Sequence, residues 1–179
     1  VIVSLITVST GLGSKKAIES RLANFSGHIS IKSTRSNSSY NSSVLNKDEL
    51  KLNDIKNLEE VSGTQSYATV SGILRTEDNF DGVILKGVAK DFDAERFQDF
   101  MVSGEIPKFT EEGYNNQVIL SQKIADDLHL KAKDSIVAIF SKEDQKPIYR
   151  KFEIAGIYKT DIKMIDDLFI IGDINHVRK

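Results

Sequence analysis

The chain has 179 residues, of which 40% are hydrophobic and 28% charged, with 24 Lys and Arg against 26 Asp and Glu and a net charge of -2. This is the composition of an ordinary folded chain with enough apolar material for a core, in one domain or two small lobes. The near-neutral balance lacks the basic excess that phosphate backbones require, so nucleic acid is excluded as an expected partner; the lack of cysteine excludes disulfides, thiolate catalysis and cysteine-ligated zinc, and leaves the redox compartment open.

The chain opens with VIVSLITVSTGLG, thirteen residues without a charge. The run is too short and too rich in Ser and Thr for a complete membrane span, which needs roughly 20 apolar residues. Its apolar positions do not alternate as a half-buried strand would. A core segment and one end of a membrane helix both remain open. Nothing before Val1 supplies the charged start of a signal peptide, so a fragment or a processed chain is expected. SKKAIESRLANF then spaces Ile18, Leu22 and Phe25 four and three apart, which predicts an amphipathic helix able to continue from the run. HISIKS alternates as a strand, and residues 34–46, rich in Ser and Asn, read as a loop.

Asn46 and Glu49 fit a capping box for a helix carrying Leu50, Ile55, Leu58 and Val61. Strands from about Tyr67 to Arg75 and from about Gly82 to Val88 flank a turn, as in a hairpin. Val118 to Leu120 form a short strand feeding a helix with Ser121 as N-cap and Ile124 and Leu128 on its buried side. SIVAIF and YRKFEIAGIY pair as a second hairpin, and DLFIIG is a last strand. This order predicts an α+β fold without regular βαβ alternation.

Motifs for chemistry are sparse. His28, His129 and His176 stand apart, without the one-turn spacing of a metal pair, and a structural role is expected for each. No Gly-x-Ser-x-Gly offers a nucleophile. Gly82 and Gly87 share the outer spacing of a phosphate loop, but Val88 and Ala89 replace its Lys and Ser or Thr. In TGLGSKK, Lys16 occupies the place of the third glycine of a dinucleotide fingerprint. Asp91, Asp93 and Glu95 alternate like the start of a calcium loop, yet Arg96 and Val102 break it, so a solvated loop is expected. Asp126 with Asp127, and Asp166 with Asp167, are adjacent in sequence and diverge in any regular element, so neither forms an acid/base pair. No catalytic, cofactor or metal residue is expected.

The order of segments is more specific than any one of them. VSTGLGSKKAIESRLANF followed by GHISI, then VILKGV, VSGEIP, NQVILSQKIADDLHLKAKDSIVAIF, KFEIAGIYKT and DDLFIIGDINHVRK together resemble the extracytoplasmic domain of ABC transporter permeases of the MacB/Lol lipoprotein-releasing, FtsX-like family. The resemblance covers essentially the whole chain, and the C-terminal block carries most of it. Two departures stand out. Lys133 replaces the family's usual Gly before Asp134, which calls for a different backbone geometry at that turn. The hairpin SKEDQKPIYRK, with Pro147 alone, looks too short for the protruding hook by which one Lol subunit engages a periplasmic carrier.

The resemblance implies a mixed two-lobed α+β periplasmic core domain of MacB type, with a small βα lobe and a β-rich lobe. Residues 1–13 would be the outer end of the first transmembrane helix and 14–179 the extracytoplasmic domain. About 14–66 and 84–120 would form the α/β lobe, and about 121–171 the β-rich lobe. The implied location is the bacterial inner membrane, with this domain on the periplasmic side. Its implied partners are an ABC ATPase subunit or domain, a second permease subunit, the membrane, and a lipoprotein or other exported substrate. The domain would be non-catalytic and without cofactor, coupling cytoplasmic ATP hydrolysis to lipoprotein release, with MacB-like efflux or mechanotransmission as the alternative. Ile18, Leu22 and Phe25 would couple the lever helix to the sheet. Two readings of other classes stay open, a free-standing periplasmic binding module and a hydrolase with a site assembled from distant residues. Residues 34–46 are a candidate substrate contact, and the Asn-x-Ser triplets at Asn24, Asn37 and Asn41 would accept glycans only in a eukaryotic secretory setting.

Overall fold

The computed structural model describes residues 2–33, 41, 45, 50–110, 113–141 and 146–178. The apolar run and the charged segment after it form one helix, α1 (Ile2–Ser26). Gly27, at φ 80, ends it in the left-handed region that glycine adopts freely, and its amide still reaches the Ala23 carbonyl at 2.8 Å.

Two expectations for the next segment are corrected. HISIKS forms no strand: Ile29 and Ile31 are 87% and 47% exposed, and among the described residues no backbone ladder includes them. The expected helix from Asn46 to Val61 is reduced to α2 (Leu52–Lys56), five residues with no buried side chain. A helix this short needs an apolar face packed against something, and Leu58 is exposed. The capping residues Asn46 and Glu49 and most of the loop at 34–46 lie outside the described residues.

The remaining elements are β1 (Tyr67–Arg75), β2 (Phe80–Val88), α3 (Ala94–Gln98), β3 (Met101–Gly104), β4 (Gln117–Ser121), α4 (Gln122–Asp127), β5 (Ser135–Phe140), β6 (Ile148–Tyr158), α5 (Lys163–Asp166) and β7 (Phe169–Asp173), followed by a 3-10 turn at Ile174–His176. Both expected hairpins are present, β1 with β2 and β5 with β6. Ser121 caps α4 as expected, its Oγ accepting from the Ile124 amide at 3.1 Å. The acidic stretch after residue 90 is not a plain solvated loop. Asp93 caps α3 by accepting from the Arg96 amide at 3.0 Å, and Asp91 accepts from the Ser66 amide at 2.9 Å.

Six of the seven strands close into a circuit. β1 pairs with β2, β2 runs parallel to β7, β7 meets β4 at Ile171 and Ile119, β4 runs parallel to β6, β6 pairs with β5, and β5 returns to β1. β3 adds to the side of β6. The 11-residue β6 makes closure possible, because Ile148–Glu153 serve β5 while Glu153–Tyr158 serve β4. The expected lobe boundary near residue 120 falls between β4 and α4, and strands from both sides of it interleave in this one sheet.

Strand alternation makes two cores. Val70, Leu74, Val83, Leu85, Val118, Leu120, Ile136 and Phe152 point to one side and form the larger cluster with Ile124 and Leu128 of α4. Gly87 belongs to the same row of β2. A Cβ there would stand 2.7 Å from the Ile174 Cα, so only glycine lets the 3-10 turn close down on the strand. The opposite faces carry a second cluster of Val88, Ile119, Tyr158 and Ile171, covered by Phe97 and Phe100, and Phe25 of α1 belongs to it.

Candidate functional site

Only one buried residue of α1 touches the rest of the molecule, and the joint it makes is the candidate site. Phe25, 6% exposed, stacks on Tyr158 with ring centroids 6.1 Å apart and meets Phe169 edge-on at 5.6 Å. Phe97 adds a T-shaped contact with Tyr158 at 5.3 Å. The Tyr158 hydroxyl donates to the Phe169 carbonyl at 2.8 Å, so this fully enclosed ring is also tied to β7. Burial, and then the Asp166 carboxylate, push its phenol pKa well up, and it stays neutral.

The end of the helix meets β2 through a lysine. Lys86 points to the outer side of the sheet between Ile84 and Val88, and its Nζ donates to the Phe25 carbonyl. That carbonyl lies in the last turn of α1, where helix geometry leaves it without an intrahelical donor. The ammonium also lies 4.2 Å from the centroid of the Phe25 ring and 5.5 Å from that of Tyr67.

One turn earlier, Arg21 reaches the loop between β6 and α5. Its Nη1 donates to the Thr160 carbonyl at 2.9 Å and pairs with the Asp161 carboxylate, which Lys159 also holds at 2.9 Å. These two cations hold the Asp161 carboxyl below its ordinary range, Lys159 foremost. The loop is itself braced from within. The Thr160 amide and hydroxyl donate to Asp166 at 2.9 and 2.8 Å, and Ser121 donates to the Asp166 carbonyl at 2.5 Å. A continuous set of hydrogen bonds thus runs from Arg21 of α1 to the N-terminus of α4.

Of the three expected coupling residues, the structure brings Phe25 to the sheet and leaves Ile18 and Leu22 57% and 41% exposed on the helix. Sequence reasoning missed Arg21, Lys86, Tyr158 and Asp161. A signal existed for Lys86, a lone lysine in an otherwise apolar row of VILKGV. Arg21 also stood one turn before Phe25, on the same side of the helix.

The other singled-out residues have structural partners. Asp126 and Asp127 sit at the end of α4, where Asp127 pairs with Lys123; Asp167 pairs with Lys163 at 2.7 Å while Asp166 is buried under Thr160. His176 is buried against Phe152, with Nε2 2.9 Å from the Asn115 carbonyl and Nδ1 without a hydrogen-bond partner among the described residues. Burial lowers its pKa. Lys133 takes φ 78, the left-handed geometry that a glycine would favour, while its amide donates to Ile154 at 2.7 Å. A cleft of about 440 Å³ between β3 and α4 has Val102, Ala125, Leu130 and Ile157 in its wall, with Asp126 as its carboxylate and His129 and Lys131 beside it. Among the described residues no three His, Asp or Glu side chains gather as metal ligands.

No curated protein matches the chain. Among solved structures, it is similar to the extracellular domain of the noncanonic ABC-type transporter YknZ from Gram-positive bacteria. Identity is 16% and the TM-score 0.49, over 71% of this chain and 62% of that one. It is also similar to the periplasmic region of MacB from Actinobacillus actinomycetemcomitans, with 16% identity and a TM-score of 0.47, over 70% of this chain and 54% of that one. The chain therefore spans less than two thirds of either. The family model for the MacB-like periplasmic core domain matches residues 1–177, essentially the full length. The chain belongs to that family, the MacB-like periplasmic core domains.

Proposed function

We propose that this domain is the non-catalytic part of a permease in which ATP hydrolysis by a cytoplasmic partner moves α1, and α1 moves the sheet. The observation that carries the reading is the form of α1: a helix of about 37 Å whose residues 2–22 are all exposed and whose attachment is confined to its last turns. Ile2, Val3, Leu5, Ile6, Val8 and Leu12 are each more than half exposed and spread over about 220° of the helix surface, with Ser4, Thr7 and Gly11 on the remaining sector. An apolar surface this wide and without a partner among the described residues calls for an apolar surrounding. Among the described residues no helix is by itself long and apolar enough to cross a membrane. In this reading residues 1–13 are the outer end of a longer span, and the domain lies on the periplasmic side of the inner membrane. A second permease subunit completes the transporter.

The substrate assigned here is a lipoprotein released from the membrane, supported by the TGLGSKK junction between the apolar run and the amphipathic helix. The matching family model, named for MacB, favours efflux or mechanotransmission as the second reading. Both require the same topology. Cysteines at Glu77 and Ser141 of the full-length protein should label from outside intact cells, and an ATPase should co-purify with it. ATP-driven release of a lipid-modified protein from proteoliposomes then separates release from export of a soluble peptide. A protein that leaves the membrane fraction, or labels only after lysis, would end the permease reading.

A further inference from the structure

We propose that Lys86 is the positioning residue of this joint: its buried head group seats the C-terminal end of α1 on β2, and the cost of burying its charge makes the attachment all-or-none. The inference rests on the lever reading above.

The stem of Lys86 rises from the best-supported strand at the joint, since β2 is bonded to β1 at Thr69 on one side and to β7 at Ile171 on the other. Its head has left water, with the residue 9% exposed, and a buried charge is costly unless it is paired. No carboxylate pairs it among the described residues. What offsets the charge is the Phe25 carbonyl, at the negative end of the α1 dipole, and the faces of Phe25 and Tyr67. Two of these three belong to α1. If the helix withdraws by a few ångströms, the carbonyl and the Phe25 ring leave together, and the ammonium must either take up water or lose its proton. Intermediate positions offer it nothing. An apolar residue here would pack against Phe25 and let it slide; the lysine permits a seated state and a released one, so motion of α1 passes to β2 instead of dissipating in the aromatic cluster.

Charge is what distinguishes this device from simple packing. Burial lowers the Lys86 pKa to about 8. The neighbour from β1 that can titrate is the Tyr67 phenol, bonded to Ser30 at 2.5 Å, while Phe25 from α1 and Ile171 from β7 carry no charge. The other charged groups of the joint, Arg21, Lys159 and Asp161, are engaged with one another.

The test is a spin-label distance between Ser20→Cys on α1 and Lys151→Cys on β6, in the full-length protein in proteoliposomes and without nucleotide. Because burial lowers the Lys86 pKa, protonation favours the released helix and deprotonation the seated one, so the wild-type distribution should hold a seated and a released population at pH 6.5 and collapse to the seated one, at least twofold narrower, at pH 9.5, the change beginning near pH 8. Lys86→Met should show one distribution of the same width at every pH, and Lys86→Arg, which keeps its charge, both populations throughout. A wild-type width that ignores pH, or a Lys86→Met distribution that narrows with pH as wild type does, would overturn the proposal. The wild-type titration needs no substitution at Lys86, so a variant that folds poorly leaves the answer intact. Adding ATP to the wild type at pH 7 tests the lever itself: an unmoved mean distance sinks that reading while the Lys86 result stands separately.

Discussion

Phe25 shows how much of the joint rests on a single side chain. Its ring fills a site bounded by Tyr158 and Phe169, with the Lys86 ammonium above it. Phe25→Ala would leave a cavity between α1 and the sheet and lower unfolding free energy by about 3 kcal/mol, the low end for buried aromatic truncations. Urea titration of the domain should show this loss. The corresponding change at Ile18, 57% exposed, should stay within about 0.5 kcal/mol, as surface substitutions do. The contrast has a physical origin that spacing alone could not reveal. Ile18, Leu22 and Phe25 share a helical face, but α1 reaches the sheet only at its end, so periodicity identifies the face and says nothing of how far along it contact extends. Arg21 and Lys86 were hidden for a related reason. A charged residue is ordinarily expected in solvent, and only the three-dimensional arrangement shows that these two are spent on backbone carbonyls.

At the scale of elements, what could be read from sequence followed how strongly each segment depends on its neighbours. β1, β2, β4, β5, β6 and β7 carry dense β-branched runs whose pairing buries them, and each was expected within a few residues. HISIKS has the alternation without a partner strand among the described residues, and the pattern by itself cannot make a ladder. α3 and β3 went unread because a five-residue helix and a four-residue edge strand leave almost no periodic signal. The circuit of strands was equally out of reach, since it depends on the long β6 dividing its length between two partners. For α1, the structure makes residues 2–13 dispensable to the fold, because none of them is buried. A chain shortened to 14–179 should therefore melt within about 2 °C of the longer one, given that surface changes seldom matter. The longer chain should float with phosphatidylcholine vesicles at least tenfold more than the shortened one. Equal flotation would show that the apolar surface of residues 2–13 does not seek lipid.

The whole molecule should report its buried titratable groups in the pH dependence of stability. Burial depresses the pKa of His176 below 6.5 and that of Lys86 from 10.5 to about 8, so in both cases the unfolded chain binds the proton more readily. Where the unfolded state holds more protons, stability rises with pH. For His176 the rise falls just below pH 6.5, so stability is lost on acidification as the buried ring, with Nδ1 unpartnered among the described residues, is forced to charge. For Lys86 the rise begins near pH 8. It would continue toward 10.5, but Tyr158 acts in the opposite sense: its phenol pKa is raised, so from about pH 10 the unfolded chain loses that proton first and stability falls. The expected profile has an acid limb, a level region from about pH 6.5 to 8, a rise to about pH 10 and a decline beyond it. Urea midpoints across this range check it, and two substitutions assign the limbs. His176→Gln should flatten the acid limb, and Lys86→Met should abolish the rise above pH 8 while raising stability at pH 7. A Lys86→Met protein that is less stable than wild type at pH 7 would mean that the Phe25 carbonyl and the two rings compensate the ammonium fully. The lysine would then hold α1 as an ordinary stabilising contact instead of a charge that must be either seated or released.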